Sequence, residues 1–365
     1  MKPLSSLRIL EFDGLGPVTF LGMVLADLGA DVVRLARADS AGAAAFTEVG
    51  GAILHRGRPA VPVDLKDEGD RARVLDLLAR SDGLIEGFRP GVMERLGLGP
   101  DACLARNPAL VFARVTGWGQ TGPMASSVGH DINYLALSGA LSTFGEADRP
   151  ARPPLNLVGD YAGGALMGAI GLLSGILQAR TTGKGAVVDV AMTDGVALMT
   201  ALFHALKARG LWTDQRDANL LDGRAPFYRC YRCRDGGELA VGALEPRFYA
   251  ALLTGLGLGP DEAPQYDRGR WTEITDRFAA VFASRDRDDW AAHFAGTEAC
   301  VTPVLTLGEA VTDVHNRARG TFDAGGAPAP APLFDGVRPG GEMAPQPTLD
   351  LAGALERWTE ARRAN

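Results

Sequence analysis

Through the first 120 residues, apolar positions fall into short continuous runs, separated by glycine turns and by stretches of helical spacing. LRILEF (7–12) and ADVVRLAR (30–37) read as strands, and FLGMVLADLGA between them carries the three-and-four spacing of a helix. DGLGP supplies the first turn. The alternation continues with VPVDL as a strand, EGDRARVLDLLARS as a helix, GLIEGF as a strand and ALVFARVTGWGQTGP as a strand ending in a glycine loop. Strand and helix in regular alternation predict a Rossmann-like α/β domain with a parallel sheet. Further on, the apolar run from Ala162 to Leu177 is shorter than a bilayer span and reads as a buried helix. VVDVAM is a strand, and one helix is expected from Thr193 to Ala208.

From about Trp212 the texture changes. PFYRCYRCRDGGELAVGALEP predicts a β-hairpin turning at Asp235–Gly237, with the helix RFYAALLTGL behind it. Amphipathic helices are expected from Trp271 to Phe294, and CVTPVLTLGEAV passes from strand to helix. Residues 324–346 are rich in proline and glycine and read as a surface connection. LAGALERWTEARRAN reads as a terminal helix. The chain therefore divides into a large domain over 1–205, to which 323–365 returns, and a smaller α+β domain over 215–320.

Composition narrows the function. The chain has 365 residues, 46% of them hydrophobic, enough for a large core in more than one domain. A net charge of −7 argues against nucleic acid as the main partner. The opening residues lead directly into a strand rather than a signal peptide, no stretch reads as a membrane anchor, and there are four cysteines. A cytoplasmic protein is the expectation. Cys230 and Cys233 form CxxC, but residues three apart on a strand point to opposite faces, so no metal site is expected. GLGPVTF has Phe20 where a dinucleotide fingerprint needs its third small residue, which weakens an NAD reading.

The candidate chemistry lies between Thr116 and Gly164. There His130 and Asp160 sit among glycines, and apolar helical runs follow Asp131 and Asp160 at once. An acidic residue just before such a run is an N-cap signal, which places both candidates at positive helix ends. Spacing alone does not bring them together. Cations gather at predicted strand ends: Arg37, then His55, Arg56 and Arg58, then Arg89. This is the placement an anionic ligand needs in an open α/β sheet.

Taken in order, LADLGADVVRL, VDLK, GFRPGVMERLGLGP, VTGWGQTGP, GHDINYLALSG, PPLNLVGDYAGG, GKGAVVDVAM, YRCRDGGELAVGALEPRFY and HNRARGTF resemble the family III CoA-transferases (CaiB/BaiF type) over about residues 4–322. The resemblance is strongest to the α-methylacyl-CoA racemase branch, because GHDINY has a His before the Asp where the formyl-CoA and carnitine CoA-transferases lack one. The resemblance implies that His130 and Asp160 are the catalytic bases and that Glu245 is a supporting or proton-relay group. It implies CoA contacts from Arg37, His55, Arg56, Gly57, Arg58 and Arg89, from the loop of Gly117, Gly119 and Gln120, and from Asp131 and Tyr134. An interlocked homodimer is implied as well. Asp13, where the family commonly has Ala, Val18–Thr19 in place of the second proline of its turn, and the last 40 residues depart from the pattern.

The implied reaction removes the proton α to a thioester and returns one to the opposite face, which requires two bases and no separate cofactor. A helix N-terminus favours a neutral, accepting imidazole at His130, and burial makes Asp160 more basic. Backbone amides near Asp131 are expected to stabilise the enolate oxygen. Two alternatives remain at this stage. Asp160 could attack the thioester as a nucleophile in CoA transfer, or the chain could bind CoA thioesters without catalysis.

Overall fold

Strands buried on both faces are apolar along their whole length, and strands of that kind pair in parallel beneath helices on each side. In the first of two compact units, β1 (Arg8–Phe12), β2 (Asp31–Arg37), β3 (Ala60–Val63), β4 (Gly83–Glu86), β5 (Val111–Thr116) and β6 (Ala186–Ala191) form one sheet in the order 3-2-1-4-5-6. All five neighbouring pairs are parallel. Strand order reverses between β1 and β4, and the crevice at such a switch point is where open α/β sheets take ligands. The computed structural model describes residues 1–14, 16–37, 50–340, 344 and 346–360. Leu15 of the first glycine turn, and the last five residues of the expected terminal helix, lie outside them.

The helices of this unit include α1 (Pro17–Asp27), α2 (Glu68–Leu78), α3 (Asp131–Leu137), a π-helical segment (Leu157–Leu166) running directly into α4 (Met167–Thr182), and α5 (Met192–Met199). One face of the sheet packs Ile9, Val32, Ile85, Val111 and Ala113 against Leu21 and Leu25 of α1 and Leu172 and Ile176 of α4. The other packs Leu10, Val33, Leu84 and Phe112 against Leu77 and Leu78 of α2 and Trp358. Trp358 belongs to the C-terminal helix Leu351–Glu360, whose Arg357 and Trp358 side chains both donate to Asp31. The unit comprises Met1–Ala140, Pro153–Thr200 and Asp323–Asn365.

Two expectations are corrected here. The apolar run expected as a short buried helix belongs to a continuous helical stretch, Leu157–Thr182, long and apolar enough by composition to cross a membrane. It packs on β5 and β6 as a core helix, while Leu166, Ile170 and Leu177 on its other side are exposed. The helix expected from Thr193 to Ala208 breaks at Thr200. There the hydroxyl and the amide both bond the carbonyl of Ala197, tightening the last turn of α5.

The second unit, Leu141–Arg152 with Ala201–Phe322, starts its longer part with α6 (Ala201–Ala208). Its sheet is antiparallel, with β7 (Tyr228–Arg232) and β9 (Val301–Pro303) flanking β8 (Glu238–Gly242). Helices α7 (Pro246–Leu256), α8 (Trp271–Phe282) and α9 (Arg287–Phe294) close over an aromatic core that includes Phe227, Tyr231, Tyr249, Trp271, Phe282 and Trp290. Cys230 is exposed and Cys233 buried, the opposite-face arrangement that their spacing predicts.

Candidate active site

Asp160 is positioned by a helix that begins earlier than the sequence implies. Asn156, itself a capping residue type, occupies the N-cap, and Asp160 is the fourth residue of the π segment rather than its cap. The Asn156 side chain makes no cap hydrogen bond; its Nδ2 donates to Asp160 Oδ2 at 3.2 Å. π-Helical turns are rare and are found at functional sites. This one fits against its neighbours through glycines. A Cβ at Gly163 would stand 3.1 Å from the Met192 carbonyl, and one at Gly195 of α5 would overlap the Gly163 carbonyl. From the other side, Gly16 approaches at the end of the first turn. It holds a φ of 63°, and a Cβ there would lie 2.8 Å from Asp160 Oδ2.

His130 is the N-cap of α3 and Asp131 its first residue. The His130 N–H donates to Asn133 Oδ1 at 3.0 Å, which fixes the entry of the chain while the imidazole itself stays exposed. Asp131 turns inward. Its Oδ2 accepts the N–H of Asp160 at 2.7 Å, and the Gly159 amide also favours its charged form. Tyr134, one turn along, donates its hydroxyl to the Gly129 carbonyl at 2.5 Å and meets Trp118 edge to face. Burial above all pushes the Tyr134 phenol up to about 12, so it stays neutral.

Burial is also the main reason the Asp160 carboxyl lies above the ordinary carboxylate range. The Asn156 hydrogen bond opposes the shift, the Asp131 charge adds to it, and a charge on His130 opposes it. His130 is therefore near enough to act on the Asp160 carboxyl electrostatically. The Asp131 carboxylate on the Asp160 amide ties the start of α3, capped by His130, to the first turn of the π segment, thirty residues on.

The expected anion-binding groups fare differently. Arg56 is buried, with Nε 2.7 Å from Asp27 Oδ1 and a second bond from Nη2 to Oδ2, and its Nη1 donates to the Pro328 carbonyl. Arg58 is wholly buried on Glu11 and the Leu54 carbonyl. Both guanidinium groups are thus neutralised inside the protein and do not face a ligand. His55 is held neutral, its pKa lowered to about 4 by burial and by the charges of Arg34 and Arg58. Gly57 takes a φ of 70° between these residues. Arg37 and Arg89 are exposed.

The glycine loop after β5 serves packing. A Cβ at Gly117 would overlap the Tyr134 ring; the Gly119 amide bonds Thr116 Oγ1, and the Gln120 amide bonds Asp189 Oδ2. These two amides are occupied rather than presented to a ligand. Asp131, expected as a substrate contact, spends Oδ2 on backbone and is only 7% exposed. Glu245 belongs to the second unit, where it is the exposed N-cap of α7.

The profile of CoA-transferase family III matches residues 4–347. The chain belongs to that family. It is 44% identical over 336 residues to the alpha-methylacyl-CoA racemase of Mus musculus, spanning 91% of this chain and 86% of the mouse protein. It is 29% identical over 333 residues to the succinyl-CoA–D-citramalate CoA-transferase of Chloroflexus aurantiacus, spanning 87% of this chain and 82% of that protein. Among solved structures, a CaiB/BaiF family protein from Brucella suis matches with a TM-score of 0.80 at 26% identity, covering 97% of this chain and 98% of that one.

Two contributors to the site went unread in the sequence. Asn156 is recognisable only in retrospect, as a capping residue four positions before Asp160. Gly16 is visible as a turn glycine, but nothing local ties it to a carboxylate met 144 positions later.

Proposed function

We infer that the protein interconverts (2R)- and (2S)-2-methylacyl-CoA thioesters by removing the α-proton and returning one to the opposite face. One observation carries this reading: the helix end capped by His130 is tied through Asp131 to the first turn of the π segment, which bears a carboxyl of raised basicity, Asp160. The match to a racemase along most of both chains supports it. For each enantiomer, one of His130 and Asp160 accepts the α-proton and the other, protonated, donates to the far face of the enolate. The first-turn amides of α3, at Asp131 and Ile132, have no partner within the helix and are suited to the enolate oxygen. This chemistry calls on no metal or redox group.

The CoA portion is assigned to the crevice at the switch point, with Arg37 and Arg89 as its exposed cations. Glu245 is assigned a supporting proton-relay role. Exposed Leu166, Ile170, Leu177 and Val187 support a second copy of the chain as partner. The cytoplasm is the compartment that suits its four free cysteines.

The test is chiral analysis of one 2-methylacyl-CoA enantiomer incubated with the protein and no free acid. Inversion towards an equal mixture is the expected result. Retained configuration, together with transfer of CoA to an added labelled acid, would instead assign Asp160 as the nucleophile of a CoA-transferase.

A further inference from the structure

We propose that Asp131 is a positioning residue for Asp160, its carboxylate capping the first turn of the π segment from a neighbouring helix. The proposal rests on the racemase reading of the site. A helix leaves its first N–H groups without partners of its own. In the π segment the N–H of Asp160 is one of these, and it donates to Asp131 Oδ2 at 2.7 Å, while the Gly159 amide also favours the charged Asp131 carboxylate. Asn156, which holds the N-cap, does not do this work because its amide is turned to the Asp160 carboxylate. The cap is supplied across space by the first residue of α3.

The fit is close on both sides. A Cβ at Gly159 would overlap Asp131 Oδ2 and stand 2.8 Å from its Cγ. Asp131 Oδ1 is buried and has no hydrogen-bond partner among the described residues. Burying a carboxylate with one oxygen unpaired is costly, and its placement against a positive helix end offsets part of that cost. The effect is to fix the peptide from which the Asp160 side chain departs. The same charge favours the protonated form of Asp160. The other groups facing Asp160 are the Asn156 amide, the His130 imidazole and the Tyr134 phenol.

The experiment compares Asp131→Asn, Asp131→Ala and Gly159→Ala with wild type, following α-proton exchange of 2-methylacyl-CoA in D2O across pH. Asp131→Ala and Gly159→Ala are expected to lower kcat by about 100-fold, the scale of a misplacement near 1 Å, with KM changed by less than about 3-fold. Asp131→Asn retains an acceptor oxygen but no charge. It is expected to keep more activity than the alanine variant and to move the acidic limb of kcat/KM to lower pH, because the repelling charge beside Asp160 is gone. A purely structural role would lower stability without moving that limb. An unmoved limb in Asp131→Asn, or a kcat of Gly159→Ala within about 2-fold of wild type, would overturn the proposal. So would a higher KM at unchanged kcat, which would make Asp131 a substrate contact. Wild-type protein that exchanges no α-proton would overturn the racemase reading and this proposal together.

Discussion

Substituting Gly22 by alanine sets two known effects against each other. Gly22 lies inside α1, where alanine is favoured over glycine by about 1 kcal/mol of helix propensity. The added methyl, however, would overlap Glu11 Oε2 and Arg58 Nη1 and stand 2.8 Å from Glu11 Cδ. Both of those side chains are 0% exposed, and no solvent route lets them separate and rehydrate. Breaking a buried pair costs about 3–5 kcal/mol. The clash wins, leaving a net loss of about 2–4 kcal/mol. With a urea m-value of about 2 kcal/mol/M, the transition that unfolds the parallel sheet moves down by about 1–2 M. Equilibrium urea unfolding, followed by circular dichroism, measures this. Gly308→Ala in the helix Leu307–Thr312 is the control: its Cβ meets nothing within 4 Å, so stability is expected to hold or rise slightly. A Gly22→Ala protein as stable as wild type would refute the reasoning, since the pair would then have room that the packing denies it.

Three further outcomes are expected. Gly16→Ala places a methyl 2.8 Å from Asp160 Oδ2 at a φ of 63°. Steady-state kinetics should show kcat falling by about 10-fold or more, from a displacement of a few tenths of an ångström. Asn156→Ala removes the hydrogen bond that holds the Asp160 carboxyl down, so the acidic limb of kcat/KM should move to higher pH, opposite in sign to Asp131→Asn. His55 has a folded pKa of about 4 against an ordinary 6.5. Its contribution to stability is therefore complete above pH 6.5 and lost as pH falls towards 4, and His55→Gln should flatten the decline of stability over that window in urea titrations.

The sheet was legible because each of its strands is a short apolar run between glycines and amphipathic helices, and burial on both faces leaves that imprint. The hairpin and the aromatic helices of the second unit were legible for the same reason. Less visible was any event decided across space. Arg56 and Arg58 look like ligand-binding cations until Asp27 and Glu11 meet them inside the fold. Asp160 looks like a cap because nothing local says that the helix starts at Leu157. Gly117 looks like a ligand-approach glycine, whereas its missing side chain makes room for the Tyr134 ring. The two bases were candidates from their glycine-rich setting at helix ends, and the order of whole motifs implied their joint role; spacing gave no measure of whether they meet.

The most direct test of the two-base account is deuterium incorporation at the α-carbon of each enantiomer of a 2-methylacyl-CoA in D2O, with no acceptor acid, for wild type, His130→Ala and Asp160→Ala. The account predicts incorporation with loss of optical activity from both enantiomers by wild type, and loss of that inversion by a factor of at least about 100 in each variant. Inversion at the wild-type rate in either variant would contradict it, because a single base cannot serve both faces of the enolate.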